Sequence, residues 1–420
     1  MENILIKQVE IVAPNSEWHG KRVNVLIQQG KIQKIGDKPF EASKIIEGKD
    51  LKLSPGWCDL RAFTGDPGFE SKEDMASFTS SAAMGGFTAV ACMPNTLPSL
   101  DNKENIHYVK SRSKDFLTKV LPVGSLTVKN KGEELTEILD MYHNGAIAFS
   151  DGNAPVWHSD VMLRGLLYLK PFNGLLMVHA EDKYLSTQGQ MNESKVSTTL
   201  GLKGIPKLAE EVMVQRDLSI LEYTAGKIHF SHVSSPRSLE MIKEAKKKGL
   251  SVSCDVAAYQ LVLEEGLLTS FDTFYKVNPP LRSKKDIDAY WKYLADGTID
   301  AIVSDHQPQD IESKNLEFDL AEFGISNIET AFAVVYSFNQ KLSYTDLMDK
   351  FAVQPRKILN LALPEIKEGA VADLTLFDAG ETWTPTVKDL KSKSKNNPFL
   401  GMPLKGKVKA VFNDSKYQLF

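Results

Sequence analysis

Eight short apolar runs punctuate the middle of the chain: Trp57 to Leu60, Phe87 to Cys92, Val120 to Val123, Ala146 to Phe149, Leu175 to Val178, Ile228 to Phe230, Ser251 to Cys254 and Ile299 to Val303. Helix-like stretches separate them. A strand that is apolar on both faces has to be covered on both faces, and alternation with helices provides that cover as crossovers around a parallel sheet. Eight such units over ~250 residues suit a closed barrel, so the sequence predicts an α/β chain built on a (β/α)8 TIM-like barrel. The helices carry their own punctuation. In S-P-R-S-L-E-M-I-K-E-A-K-K-K-G, Ser235 can cap, Pro236 can start and Gly249 can stop a helix.

The two ends read differently. Short alternating runs at Val23 to Ile27 and Ile32 to Ile35, joined by Gln29-Gly30, have the period and turn chemistry of a β-hairpin. The same texture returns after Gly369, in A-D-L-T-L-F and in V-K-A-V-F before Asn413-Asp414. We therefore expect a small β-sandwich subdomain composed of residues 1–54 and 366–420, with the barrel over 55–365. A chain of 420 residues with 42% hydrophobic content can bury cores of both kinds.

A net charge of −4, from 50 basic and 54 acidic residues, gives no general electrostatic reason to bind nucleic acid or an anionic membrane. The start lacks the features of a secretory signal, and no apolar run reaches membrane-spanning length. A cytoplasmic protein with small-molecule or protein partners is expected. Cys58, Cys92 and Cys254 are an odd number set far apart inside apolar runs, which reads as reduced core residues. The low-complexity stretch K-D-L-K-S-K-S-K-N-N-P-F from Lys388 reads as a solvated loop.

Barrel active sites form at the carboxyl ends of the strands. Four polar residues stand there: Asp151, His179 in L-L-M-V-H-A-E-D, His232 in H-F-S-H-V-S-S, and Asp305 in A-I-V-S-D-H. Neutral imidazoles and carboxylates converging at a barrel mouth suit zinc, which polarises an amide carbonyl and lowers the pKa of bound water. A lone histidine after an apolar run is more often a core or capping residue, so the weight lies in the four together. Strand alternation sends His229, three residues before His232, to the opposite face against a helix. His19, His107, His143 and His158 read as surface residues.

Several longer stretches carry a family resemblance: S-P-G-W-C-D-L, A-A-M-G-G-F-T-A-V-A-C-M-P-N-T, G-L-K-G-I-P, V-N-P-P-L-R, D-G-T-I-D-A-I-V-S-D-H, F-G-I-S-N-I-E-T and K-E-G-A-V-A-D-L-T. In this order they resemble the amidohydrolase superfamily and, within it, the type I dihydroorotases of pyrimidine biosynthesis, over nearly the whole chain. The resemblance implies that His179 and His232 match ligands of the second metal, that Asp151 falls where a bridging carboxylate is carried, and that Asp305 matches the general base. It further implies substrate contacts from Asn95, Asn278 and the Phe323-Gly324 backbone.

The departures fall at the chemistry. Where the family has His-x-His followed by an arginine, this chain reads Arg61-Ala62-Phe63-Thr64-Gly65, and where it has Asp-His-Ala-Pro-His, this chain ends on Gln309. Both first-metal histidines, the arginine for the substrate carboxylate and one substrate-contacting histidine are thus replaced. At most one zinc ion is then expected, at Asp151, His179 and His232. An arginine at position 61 supplies a fixed positive charge and five donors, so it can pair with Asp305 or Asp151 in place of the first metal, or turn outward to solvent. Phe63 should plug the cavity. Three functions follow from the resemblance: a non-catalytic dihydroorotase-like subunit that supports aspartate transcarbamoylase, an active dihydroorotase closing carbamoyl aspartate to dihydroorotate, or a single-metal amidohydrolase of another cyclic amide or ureido acid. A homo-oligomer is expected in each case.

Overall fold

The structure is a computed structural model that describes residues 3–339 and 341–420. Eight parallel strands, β1 (Trp57–Ala62), β2 (Phe87–Cys92), β3 (Lys119–Gly124), β4 (Ala148–Phe149), β5 (Leu176–Val178), β6 (Ile228–Phe230), β7 (Val252–Ala257) and β8 (Ala301–Val303), are hydrogen-bonded in sequence order. The ring closes where Ala62 bridges His306 in parallel register and the Phe63 amide donates to the His306 carbonyl at 2.9 Å. This is the expected TIM-like barrel. After each strand comes a helix: α1 (Met75–Met84), α2 (Lys103–Ser113), α3 (Ile138–His143), α4 (Ser159–Leu169), α5 (Lys207–Thr224), α6 (Pro236–Lys247), α7 (Lys284–Ala295) and α8 (Ala331–Phe338). Among the described residues no helix is long and apolar enough to cross a membrane.

Local chemistry sets these boundaries. Ser235 accepts from the Arg237 amide, Pro236 opens α6, and Gly249 takes φ +82° just past its end, as the sequence suggested. Leu176, Val178, Ile228 and Phe230 pack with the helix residues Val161, Leu166 and Val214, while Met177, Ala257 and Val303 fill an inner cluster. Cys58, Cys92 and Cys254 are buried free thiols.

The chain ends meet in one eight-stranded sheet. From one edge it runs Lys416–Leu419, Leu404–Asn413, Asp373–Trp383, Leu51–Pro55, Asn3–Ile11, Arg22–Gln28 and Lys31–Gly36, with Lys44–Ile46 pairing off Asn3–Ile11. The Gln29-Gly30 turn has φ of +52° and +71°, the positive pair that a tight hairpin needs.

Two expectations are corrected. The lysine-rich stretch is a loop but not a solvated one, and it acts as a strap: Lys391 and Lys393 are exposed, while Ser392, Ser394, Asn396 and Asn397 are buried. Ser392 Oγ donates to the buried Glu73, Ser394 Oγ to the Lys72 carbonyl at 2.6 Å, and Asn396 Nδ2 to the Gly324 carbonyl at 3.0 Å. The small polar residues that alternate with the lysines face inward and seal a polar rim. His229 is likewise not against a helix. Its neighbours Ile228 and Phe230 take the helix-facing side, so its ring turns into the barrel, between Ser253 Oγ and Asp255 Oδ2, each at 2.8 Å. Alternation fails before His232, whose φ of +41° breaks the strand geometry.

A Cβ on Gly30 would lie 2.5 Å from the Asp414 carbonyl carbon, whereas one on Gly249, at similar φ, meets nothing within 4 Å. Gly30→Ala is therefore expected to lower unfolding free energy by more than about 2 kcal/mol, and Gly249→Ala by about 1 kcal/mol, in denaturant titrations. Equal losses would show that the hairpin does not approach Asp414 this closely.

Candidate active site

Asp305 lies two residues beyond β8 with φ +48°, a left-handed backbone rare outside glycine, and His232 lies two beyond β6 in the same region. Such strain persists where the surroundings over-determine it. For His232 the determinant is Asp255, whose Oδ1 accepts the His232 amide at 2.5 Å while its Oδ2 holds His229.

Arg61 is fully buried at the mouth. Its Nε donates to Asp305 Oδ1 at 2.8 Å, Nη2 donates to Asn153 Oδ1, and Nη1 faces Met93 Sδ at 3.6 Å. The guanidinium carbon stands 5.3 Å from the Phe63 ring, which is itself buried. Of the two partners open to Arg61 in the sequence, the structure selects Asp305. The Asp305 carboxylate also accepts from the Tyr259 hydroxyl at 2.6 Å and lies 3.4 Å from His232 Nδ1. Burial would raise this carboxyl, yet His232, Arg61 and Tyr259 hold it well below the ordinary carboxylate range.

The imidazoles continue this chain of polar contacts. His179 Nδ1 and His232 Nε2 are 2.9 Å apart and share one hydrogen, and His179 Nε2 lies 3.6 Å from Glu181 Oε2. Burial, helped by the charge of Arg61, pushes His232 down to about 4, so it stays neutral. Glu181 works against its burial and is held at about 2 by His179, Ser186 and Asn278. The result is a continuous row: Glu181, His179, His232, Asp305, Arg61.

The other expected site residues are placed apart or are already engaged. The Asp151 carboxylate turns to Thr127, accepting its amide at 2.8 Å and its hydroxyl at 2.5 Å, and does not join the histidines. Asn95 donates to the Asp151 carbonyl at 3.0 Å and accepts the Asn153 amide at 3.2 Å. Gln309 accepts from Lys72 Nζ at 2.6 Å and donates to the Phe323 carbonyl at 2.8 Å, while the Gly324 amide donates to the Lys276 carbonyl at 3.0 Å. Of this set, Asn278 Oδ1 is buried without a hydrogen-bond partner among the described residues. Gly65 has φ +69°, and a Cβ there would sit 2.4 Å from the Glu73 carbonyl oxygen, so an arginine cannot be accommodated at that position.

Glu181, Tyr259 and Asn153 were not anticipated. Each follows a strand end by two to four residues, the signal that identified the histidines, but none carries a residue type that singles it out.

A metal centre can be tested against these donors. Two imidazole nitrogens on one tetrahedral zinc stand ~3.3 Å apart, so His179 and His232 would need to open only slightly. The third ligand is the difficulty: Asp305 is committed to Arg61 and Tyr259, Asp151 to Thr127. Among the described residues no group of three histidine, cysteine or acidic side chains is arranged to hold a metal. The residues as placed do not fit the ion.

A family profile described as Dihydro-orotase-like matches residues 51–238. The chain is 40% identical to the Dihydroorotase of Syntrophus aciditrophicus and 42% identical to that of Acetivibrio thermocellus, each over 96% of both chains. This chain belongs to the dihydroorotase family. The fold is shared more widely: L-hydantoinase from Arthrobacter aurescens superposes with TM-score 0.86 at 21% identity, covering 100% of this chain and 98% of the other. Dihydropyrimidinase from Brevibacillus agri gives 0.84 at 22% identity, covering 99% and 95%.

Removing one partner of a buried ion pair leaves an uncompensated charge, which costs about 3–5 kcal/mol. Arg61→Met is therefore expected to destabilise the protein by that amount. The double variant Arg61→Met/Asp305→Leu should recover at least about 1.5 kcal/mol of it, since no charge is then stranded. Additive losses in denaturant titrations would show that the two side chains do not pair.

Proposed function

We propose that this protein is a non-catalytic member of the dihydroorotase family, with the barrel retained as a scaffold. The reading rests on one observation: the Arg61 guanidinium, 2.8 Å from Asp305, occupies the general-base position's carboxylate. A carboxylate that accepts from Arg61 and Tyr259 and is held well below its usual range is a poor proton acceptor. Substrate capture is impaired in parallel. A dianionic ureido acid needs charge-assisted hydrogen bonds, each contributing about 1.5–3 kcal/mol, and Gly65 and Gln309 supply no cation where the family carries Arg and His. As the partner we propose aspartate transcarbamoylase, the assembly that non-catalytic relatives of this type support.

The test is a dihydroorotate assay with and without added zinc, together with elemental analysis of protein purified without zinc. No turnover in either condition and well under one zinc per chain are expected. Brisk turnover would overturn the proposal. Arg61→His/Phe63→His supplies imidazoles and frees Asp305, so it should gain zinc while remaining without turnover, because Gly65 still blocks the arginine position. Co-expression with the transcarbamoylase followed by gel filtration tests the partner, and separate elution of the two would remove it.

A further inference from the structure

The strap at 388–399 joins Asp373–Trp383 to Leu404–Asn413, so both of its ends are anchored in the terminal sheet while its middle crosses the rim of the barrel mouth. There it holds the Gln309 and Ser326 amides, which donate to Asn396 Oδ1 at 3.2 Å and to the Asn396 carbonyl at 3.1 Å. Two buried carboxylates clasp it. Glu73 accepts from the Ser392 hydroxyl and from the Lys393 amide at 3.2 Å, and Glu329, two residues before α8, accepts from the Lys391 amide.

The two clasps are not equivalent. Glu73 has partners on both oxygens: the Ser77 hydroxyl and the Lys393 amide on Oε1, and the Ser392 hydroxyl on Oε2, where His306 Nε2 also stands 3.5 Å away. His306 Nδ1 accepts the Asn327 amide at 3.2 Å, so the ring hydrogen sits on Nε2 and faces Glu73. Glu329 has its partner on Oε1, and its Oε2 is buried with none among the described residues. An oxygen so placed holds a proton at less cost than a charge. Burial, with the Glu73 carboxylate beside it, pushes Glu329 up to about 7 against the pull of the Lys391 amide. The other charged groups around it are Lys395 on the strap and Lys407 across a small cavity.

We propose that the strap is a lid on the mouth whose latch is a proton on Glu329: seated while that carboxyl is neutral, released when it ionises. A lifted strap exposes Glu329 to water and returns it to its ordinary 4.5, so the lifted form is favoured progressively as pH rises from there to about 7 and gains nothing further above it. Between pH 5 and 8 the ratio of lifted to seated strap should rise by roughly 70-fold. Lifting uncovers the Gln309 and Phe323-Gly324 side of the mouth, and it does so whether or not the site turns anything over.

Hydrogen exchange of the Lys391 and Lys393 amides in the full chain, corrected for the intrinsic rate at each pH, reads that ratio. Amides of the barrel strands should not share the rise. Glu329→Gln keeps a neutral group at every pH and should leave the strap amides as protected at pH 8 as at pH 5. Ser394→Cys gives an independent reading, because Ser394 is buried in the seated strap and the native cysteines are buried as well. Its thiol labelling, scaled to a free thiol at each pH, should follow the same rise and lose it in Ser394→Cys/Glu329→Gln. Strap protection that is independent of pH in the unmodified protein would overturn the proposal. So would an equal rise in Glu329→Gln, which would assign the titration to Glu73 or His306 instead.

Discussion

The buried ion pair between Arg61 and Asp305 is the interaction around which the mouth of this barrel is organised. A buried carboxylate is costly unless it is paired and hydrogen-bonded, and here the pairing charge is covalently part of the chain. A bound cation can leave; a guanidinium cannot. It also donates in a fixed planar fork, which is why it can serve Asp305 on one side and Asn153 on the other. Through Asn153 the constraint reaches Asn95, and through Asp305 it reaches Tyr259, His232 and His179. One side chain on β1 thereby fixes the polar ends of β2, β4, β5, β6, β7 and β8.

Several other polar groups of the mouth are likewise satisfied within the chain, while Asn278 Oδ1 and His306 Nε2 are buried without a hydrogen-bond partner among the described residues. Gln309 spans Lys72 and the Phe323 carbonyl, Asn396 on the strap holds Gly324, and Asp151 is satisfied by Thr127. The strained φ values at His232 and Asp305 fit this picture as inherited geometry. The backbone still adopts the shape that aims both side chains inward, with Asp255 and the ion pair now supporting it.

The barrel was legible because parallel strands buried on both faces must be continuously apolar, and all eight runs became strands with ends displaced by a few residues. For Arg61 the sequence left Asp305, Asp151 and solvent open, and the structure selects Asp305. What could not be read was anything that depends on parity or on polar burial. His229 was misplaced because alternation was carried through a residue with positive φ, where strand geometry no longer holds. The segment 388–399 is a loop, as its composition indicates, but the burial of its serine and asparagine face is not legible in sequence, because only the fold reveals the glutamate and carbonyls that satisfy them. Tyr259 and Glu181 lacked a distinguishing residue type, and Asp151 lost its expected place to Thr127, which lies 24 positions earlier in sequence.

The altered positions also constrain one another, which makes the change hard to reverse piecemeal. Histidine at 61 alone would strand Asp305 and Asn153, and a metal bound there would still lack the second imidazole while Phe63 fills that space. An arginine at 65 would require the Phe69 and Glu73 carbonyls to withdraw, and Glu73 is anchored by the strap. The strap in turn seals Gln309 and Gly324, so restoring substrate contacts means rebuilding a loop, a strand end and a strap together. Each substitution is stable because the others are present. On the non-catalytic reading proposed above, such a site would be kept as structure, with the strands and helices of the barrel held by packing.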